Sequence, residues 1–129
     1  MKPRIMIVDD DEVITQQMLW TLSDDYDVVT ANDMHSAVRR ATVYEPALSI
    51  LDLHLPPEVD SPEAGLRVLE YLKTHLPQSK VVVMTGSTAI ETRKACNAVG
   101  ADEFLAKPFD TEKLLTTMRR IMPPPLDLV

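Results

Sequence analysis

Short apolar runs alternate with amphipathic stretches along the whole chain. Ile5, Met6, Ile7 and Val8 form the first run. Ala47, Leu48, Ser49, Ile50 and Leu51 form another, Val81, Val82, Val83 and Met84 another, and Phe104, Leu105 and Ala106 the last. A weaker run lies at Tyr26, Asp27, Val28, Val29 and Thr30. Each is as long as a strand, and most lack the apolar/polar alternation of a half-buried strand. That pattern predicts strands covered on both faces, as in a parallel sheet.

The stretches between the runs have helical length. Ile14, Met18 and Leu22 recur at fourfold spacing and predict a helix over 12–22. A second helix is predicted over 34–44, ended by Pro46. A third is predicted over 65–76, with Leu66, Leu69 and Leu72 inward and Pro77 closing it. A fourth starts at Thr88, whose spacing to Glu91 makes a capping box, and stops at Gly100. A fifth follows Asp110, with Phe109 and Leu114 spaced as a hydrophobic staple, and ends at Pro123, Pro124 and Pro125. The fold class is therefore α/β: five βα units, (βα)5, in a doubly wound five-stranded parallel sheet with helices on both faces. In such a sheet ligand chemistry sits at the carboxyl ends of the strands.

Composition narrows the function. The chain has 129 residues, enough for one domain, expected over 1–122, with 123–129 as a proline-rich tail or linker. Its 13 Lys and Arg against 20 Asp and Glu give a net charge of −7. A field of that sign gives no reason to bind nucleic acid or an anionic membrane, and it suits a metal cation or a basic partner. The single cysteine, Cys96, excludes an internal disulfide and fits a reducing compartment. No apolar run approaches a membrane span, and Met1-Lys2-Pro3-Arg4 leads directly into a strand. A cytoplasmic protein is expected.

Four strand ends carry chemistry. Asp9, Asp10, Asp11 and Glu12 follow the first run. Four adjacent acids repel one another, either as a binding site for a cation or as solvated cap and first-turn acids of the first helix. Asp52 follows the third run and should share an edge with Asp9 and Asp10. Three converging carboxylates suit Mg²⁺, which favours a few carboxylates plus water and phosphate oxygens. Thr85, Gly86 and Ser87 end the fourth run in a turn of small and hydroxyl side chains. Lys107 ends the fifth, either as a salt-bridge partner of the acids or to neutralise a phosphoryl group in transfer. The Lys107–Pro108 bond is a candidate cis peptide. Together these ends read as a site that receives a phosphoryl group on a carboxylate with metal help.

The chain resembles the receiver domain of two-component response regulators, of the CheY-like superfamily. The motifs that carry the resemblance are Ile-Val-Asp-Asp at 7–10, Leu-Asp-Leu-x-Leu-Pro at 51–56, Met-Thr-Gly at 84–86, Gly-Ala-Asp at 100–102 and Lys-Pro-Phe at 107–109. The resemblance implies a flavodoxin-like strand order 2-1-3-4-5. It implies that Asp52 is phosphorylated by a sensor histidine kinase or phosphotransfer protein. It implies that Mg²⁺ is held by Asp9, Asp10, Asp52 and the backbone carbonyl of His54. Thr85 then matches the switch hydroxyl, Lys107 the lysine of the family and Phe104 the switch aromatic. Such a domain is not an enzyme but a phosphoacceptor that assists its own phosphorylation and dephosphorylation. The phosphorylated form switches the face made by the fourth helix, fifth strand and fifth helix, which controls an output partner or domain.

Two departures stand beside this match. A glycine usually follows the phosphorylated Asp by about eight positions, whereas Gly65 lies thirteen after Asp52. The loop 57–64 is longer to that extent and is placed to alter kinase docking or dephosphorylation. Lys113 and Thr117 stand where the winged-helix transcription factors pair charges, so their dimer is not expected. A haloacid-dehalogenase-like hydrolase would need an Asp where His54 stands. An interaction module that no longer takes phosphate would have lost an acid, the hydroxyl or the lysine. Pro123–Pro125 reads as a linker start, which makes a C-terminal output domain outside this chain a candidate partner. His35 and His75 are expected to face solvent, Cys96 to sit in the core, Trp20 to pack, and Arg39, Arg40, Arg119 and Arg120 to lie on solvated helix faces.

Overall fold

The computed structural model describes residues 2–56, 60–86, 90–107 and 110–122. Five strands, β1 (Arg4–Val8), β2 (Asp27–Ala31), β3 (Leu48–Asp52), β4 (Lys80–Thr85) and β5 (Glu103–Ala106), form one sheet of order β2-β1-β3-β4-β5. All four pairings are parallel. Five helices alternate with the strands: α1 (Glu12–Leu22), α2 (Met34–Tyr44), α3 (Glu63–His75), α4 (Ile90–Val99) and α5 (Thr111–Ile121). The predicted fold class and strand order are those observed. The cap at Thr88, the turn residue Ser87, the Lys107–Pro108 peptide, the staple from Phe109 and the proline stretch 123–125 lie outside the described residues.

The twofold period of a strand divides the sheet between two cores. Ile5, Ile7, Leu48, Ile50, Val82, Met84 and Leu105 point to one face, where Met18 and Leu22 of α1 and Leu114 and Met118 of α5 cover them. Met6, Val8, Leu51, Val81 and Val83 point to the other, against α2, α3 and α4. This is why the central runs lack alternation. Strands β2 and β5 are the sheet edges, and apart from Ala31 and Leu105 their side chains are partly buried or exposed, which explains the weak apolar signal of β2.

Local signals set the helix starts. The Asp11 side chain accepts from the backbone N–H of Val13 (2.9 Å) and Ile14 (3.3 Å), capping α1. Asp33 caps α2 in a reciprocal box with Ser36. Asp110 caps α5 through Lys113 N–H. Asp102 of the Gly-Ala-Asp motif accepts from Val81 N–H (2.8 Å) and from Lys73 Nζ (2.6 Å). It thereby ties α3 and the β5 approach to the start of β4, at the edge opposite the acids.

Some expectations change. Helix α3 begins at Glu63 rather than 65, and Val68 is fully buried where Leu66 is only half-buried. Trp20 does not pack; it is 83% exposed on the outer face of α1. Arg40 is not on a solvated face: its guanidinium turns back to donate to the Thr30 carbonyl. Cys96 is buried, and His35 and His75 are exposed, as expected.

Gly65 decides how α3 meets the site. A Cβ at this position would lie 2.2 Å from Leu53 Cα and 2.5 Å from Leu53 O, and Gly65 N–H donates to that carbonyl at 3.1 Å. Only a residue without a side chain lets the helix rest on the backbone that follows Asp52. Despite the longer loop, the glycine sits directly on the segment it supports. Gly65→Ala should therefore destabilise the fold by about 2 kcal/mol or more, since the clash is with backbone and cannot be relieved by a rotamer change. Thermal denaturation should register a fall of roughly 5 °C or more. A shift within 1–2 °C of wild type, a few tenths of a kcal/mol, would show that the contact is not tight.

Candidate functional site

The carboxyl edge of β1 and β3 gathers the acids. Asp9 follows β1 and is 2% exposed. Its backbone N–H donates to the Ala31 carbonyl (3.1 Å), extending the β1–β2 ladder by one residue. Its Oδ1 accepts from Asp11 N–H (2.9 Å), and its Oδ2 accepts from Lys107 Nζ (3.1 Å). The four-acid run thus has two jobs. Asp11 and Glu12 cap and begin α1, while Asp9 and Asp10 face the edge.

Asp52 ends β3 and is also buried. His54 N–H folds back to donate to its Oδ1 at 3.1 Å, so a tight turn orients the carboxylate. Its Oδ2 accepts from Lys107 Nζ at 3.1 Å. Lys107 is positioned by the sheet, because its backbone N–H donates to the Thr85 carbonyl at 2.8 Å and prolongs the β4–β5 pairing. One ammonium therefore spans two carboxylates from different strands.

The electrostatics follow from burial. Desolvation holds the Asp9 carboxyl above its ordinary value, with repulsion from Asp52 adding to it. The Asp11 N–H and the Lys107 charge oppose that shift without cancelling it. For Lys107, burial pushes the ammonium down, but the attraction of Asp52 and Asp9 outweighs it and holds the group above the ordinary lysine value. The edge remains short of positive charge. One oxygen from each of Asp9, Asp10 and Asp52 lies within 4.8 Å of the others, and Asp10 opens the cluster to solvent. Lys107 alone, set against these three carboxylates, leaves the group net negative. An all-oxygen donor set with that deficit fits a hard divalent cation such as Mg²⁺.

Among the residues singled out from sequence, Asp9, Asp10, Asp52 and Lys107 meet at one point, with His54 joined through its N–H to Asp52. Thr85 is buried at the end of β4, at the same edge. Phe104 does not join the cluster. It pairs with Val83 in the ladder, two residues back from the edge, and its partly buried ring packs on the α2–α3–α4 core. Two arginines take places that sequence reasoning misses: Arg40 is expected on a solvated face, and Arg93 is not singled out. Arg40 lines a recess beside Asp9 with Glu12, Thr15 and Asn32. Arg93 of α4 lies over the Phe104 ring, 5.3 Å from its centroid. Neither stands in a motif, since each contact is made only by tertiary folding.

Comparison with known proteins agrees with this geometry. The family profile for the response regulator receiver domain matches residues 5–119. The chain is 29% identical over 119 residues to the probable transcriptional regulatory protein TcrX of Mycobacterium tuberculosis, covering 92% of this chain and 49% of that one. It thus spans about half the length of that relative. A CheY-like receiver domain protein from Methanospirillum hungatei superposes with a TM-score of 0.86 at 26% identity, covering 93% of both chains. A Burkholderia pseudomallei response regulator, solved with a phosphorylated aspartic acid, a calcium ion and citrate, superposes with a TM-score of 0.80 at 27% identity. That match covers 90% of this chain and 66% of the other. The chain belongs to the response regulator receiver domain family.

Proposed function

We propose that this chain is a phosphorylation-driven signal receiver in which Asp52 takes a phosphoryl group from a sensor histidine kinase or phosphotransfer protein. The observation that carries the reading is Lys107 Nζ, 3.1 Å from both Asp9 and Asp52 at an edge of three clustered carboxylates. A carboxylate is a weak nucleophile, but phosphoryl transfer needs mainly positioning and neutralisation of charge. An Asp52 oxygen forms the new O–P bond as the donor N–P bond breaks, and the electron pair of that bond leaves with the imidazole nitrogen. The His54 N–H bond aims the Asp52 carboxylate. Lys107 neutralises the phosphoryl oxygens as they approach. Asp9, Asp10, Asp52 and the His54 backbone carbonyl would hold Mg²⁺, which supplies further neutralisation when bound. The Burkholderia pseudomallei response regulator, with its phosphorylated aspartic acid and calcium ion, supports the same chemistry here.

In this reading residues 1–122 are the receiver and 123–129 begin a tail or linker to an output domain outside this chain. The product adds roughly one to two negative charges at the edge. Thr85 moves to hydrogen-bond a phosphoryl oxygen, and Phe104 turns toward the space vacated, which carries the change to the α4–β5–α5 face. The domain works as a phosphoacceptor that assists its own phosphorylation and dephosphorylation rather than as an enzyme. The net charge of −7 offers no surface for direct nucleic-acid binding. Among the described residues no helix is long and apolar enough to cross a membrane, and the proposed site of action is the cytoplasm.

Millimolar Mg²⁺ should raise the melting temperature. With a dissociation constant of similar size, linkage gives about 0.4–1.5 kcal/mol. Asp10→Asn should remove most of that response, because the exposed carboxylate contributes to the metal and not to the core. Equal responses in the two proteins would overturn the metal assignment.

Acetyl phosphate with Mg²⁺ should add one phosphoryl group, seen by intact-mass spectrometry and lost in alkali. Asp52→Asn should take none. Hydroxylamine-resistant label on a serine or threonine would sink the reading, as would a wild type inert to both acetyl phosphate and its kinase. Thr85→Ala should still accept the group but give much smaller NMR shift changes on α4 and α5. One hydrogen bond to a charged acceptor, about 1.5–3 kcal/mol, moves a two-state population roughly tenfold or more.

A further inference from the structure

Arg93 has no ion pair among the described residues, and its guanidinium rests instead on an aromatic ring. The ring is Phe104, 5.3 Å from the guanidinium carbon at the centroid, within the range of a cation–π contact. The two residues belong to different elements. Arg93 lies on the exposed side of the first turns of α4, and Phe104 lies on the edge strand β5. Phe104 is partly buried against the core cluster that includes Cys96 of α4 and Val83 of β4. The guanidinium adds a contact from the exposed side of α4.

β5 has one strand neighbour, β4, so its side chains are less confined than those of β3. Its other side-chain tie is the Glu103–Arg120 pair at its start. A ring on such a strand needs a further contact to hold one rotamer. The planar, weakly hydrated guanidinium suits that role better than a lysine ammonium would.

We propose that Arg93 is a positioning residue for the switch: it latches the Phe104 ring in its resting place, and the ring must leave the guanidinium before the receiver turns on. The inference rests on the proposed phosphoacceptor function. It predicts a population effect with no change in phosphoryl chemistry, because Arg93 touches neither Asp52 nor its partners. An exposed cation–π contact corresponds to about a two- to five-fold bias in the resting state.

The test is titration with beryllofluoride in saturating Mg²⁺, a probe that stands for the phosphoryl group on Asp52. Arg93→Gln keeps a planar polar group on a shorter stem but removes the charge, and it should tighten the apparent dissociation constant about two- to five-fold. Arg93→Lys should fall between the two. In a Phe104→Leu background the same Arg93→Gln change should have no effect, which a general structural role for Arg93 would not predict. Side-chain NMR of Phe104 in the unliganded protein should show the ring released from its wild-type position in Arg93→Gln. An unchanged or weakened affinity in Arg93→Gln would overturn the latch, as would an equal effect in both backgrounds. If wild type itself does not bind beryllofluoride, the phosphoacceptor reading fails before the latch is reached.

Discussion

A single ammonium between two buried carboxylates governs the site. Lys107 reaches Asp9 and Asp52 at 3.1 Å each. Each contact is on the order of 4 kcal/mol in gross attraction at a protein-like dielectric, and burying each ion costs several kcal/mol in return. The net is small, so the triad is weak evidence for stability. Its value is positional. The ammonium bridges two acids from non-consecutive strands, and burial holds the Asp9 carboxyl above its ordinary value despite that contact. An edge so poised gains from any added cation and responds to any added anion.

The backbone around the triad is fixed from both sides of the sheet. Strand β3 is buried along its whole length and delivers Asp52 to the edge. Gly65 then clamps the residue after it, through a contact that leaves no room for a Cβ. The longer loop before α3 is absorbed without disturbing that clamp. Pro62 at the helix start offers no side-chain cap, and Ser61 Oγ accepts from Glu63 N–H at 3.2 Å, while the glycine contact fixes the close approach of α3.

Most of this was legible in the chain because it rests on short-range rules. The strand runs, the caps at Asp11 and Asp110, and the convergence of Asp9, Asp10, Asp52 and Lys107 all follow from short-range patterns and from strand ends in a parallel sheet. What was not legible depends on side chains meeting across elements. Trp20 has the size and apolarity of a core residue, yet the stripe of α1 that faces the sheet is already filled by Met18 and Leu22, leaving Trp20 outside. Arg40 and Arg93 look like any solvated helical arginine until the fold supplies a carbonyl for one and a ring for the other. Leu66 fits the apolar period of α3, but the buried stripe runs through Ala64, Gly65, Val68, Leu69 and Leu72, so Val68 takes the deeper place.

The route by which a change at Asp52 would leave the site follows from the same asymmetry. β3 is held by strands on both sides and by cores on both faces. Lys107 is different. Its side chain joins the acids while its backbone N–H holds the Thr85 carbonyl, so any shift of the ammonium toward a new anion pulls on the junction of β4 and β5. β5 is the edge strand, tied beyond that junction by Glu103 to Arg120 of α5 and by Phe104 to Arg93 of α4. β5 is thus joined to the triad by a lysine, and its ties through Glu103 and Phe104 run to α5 and α4.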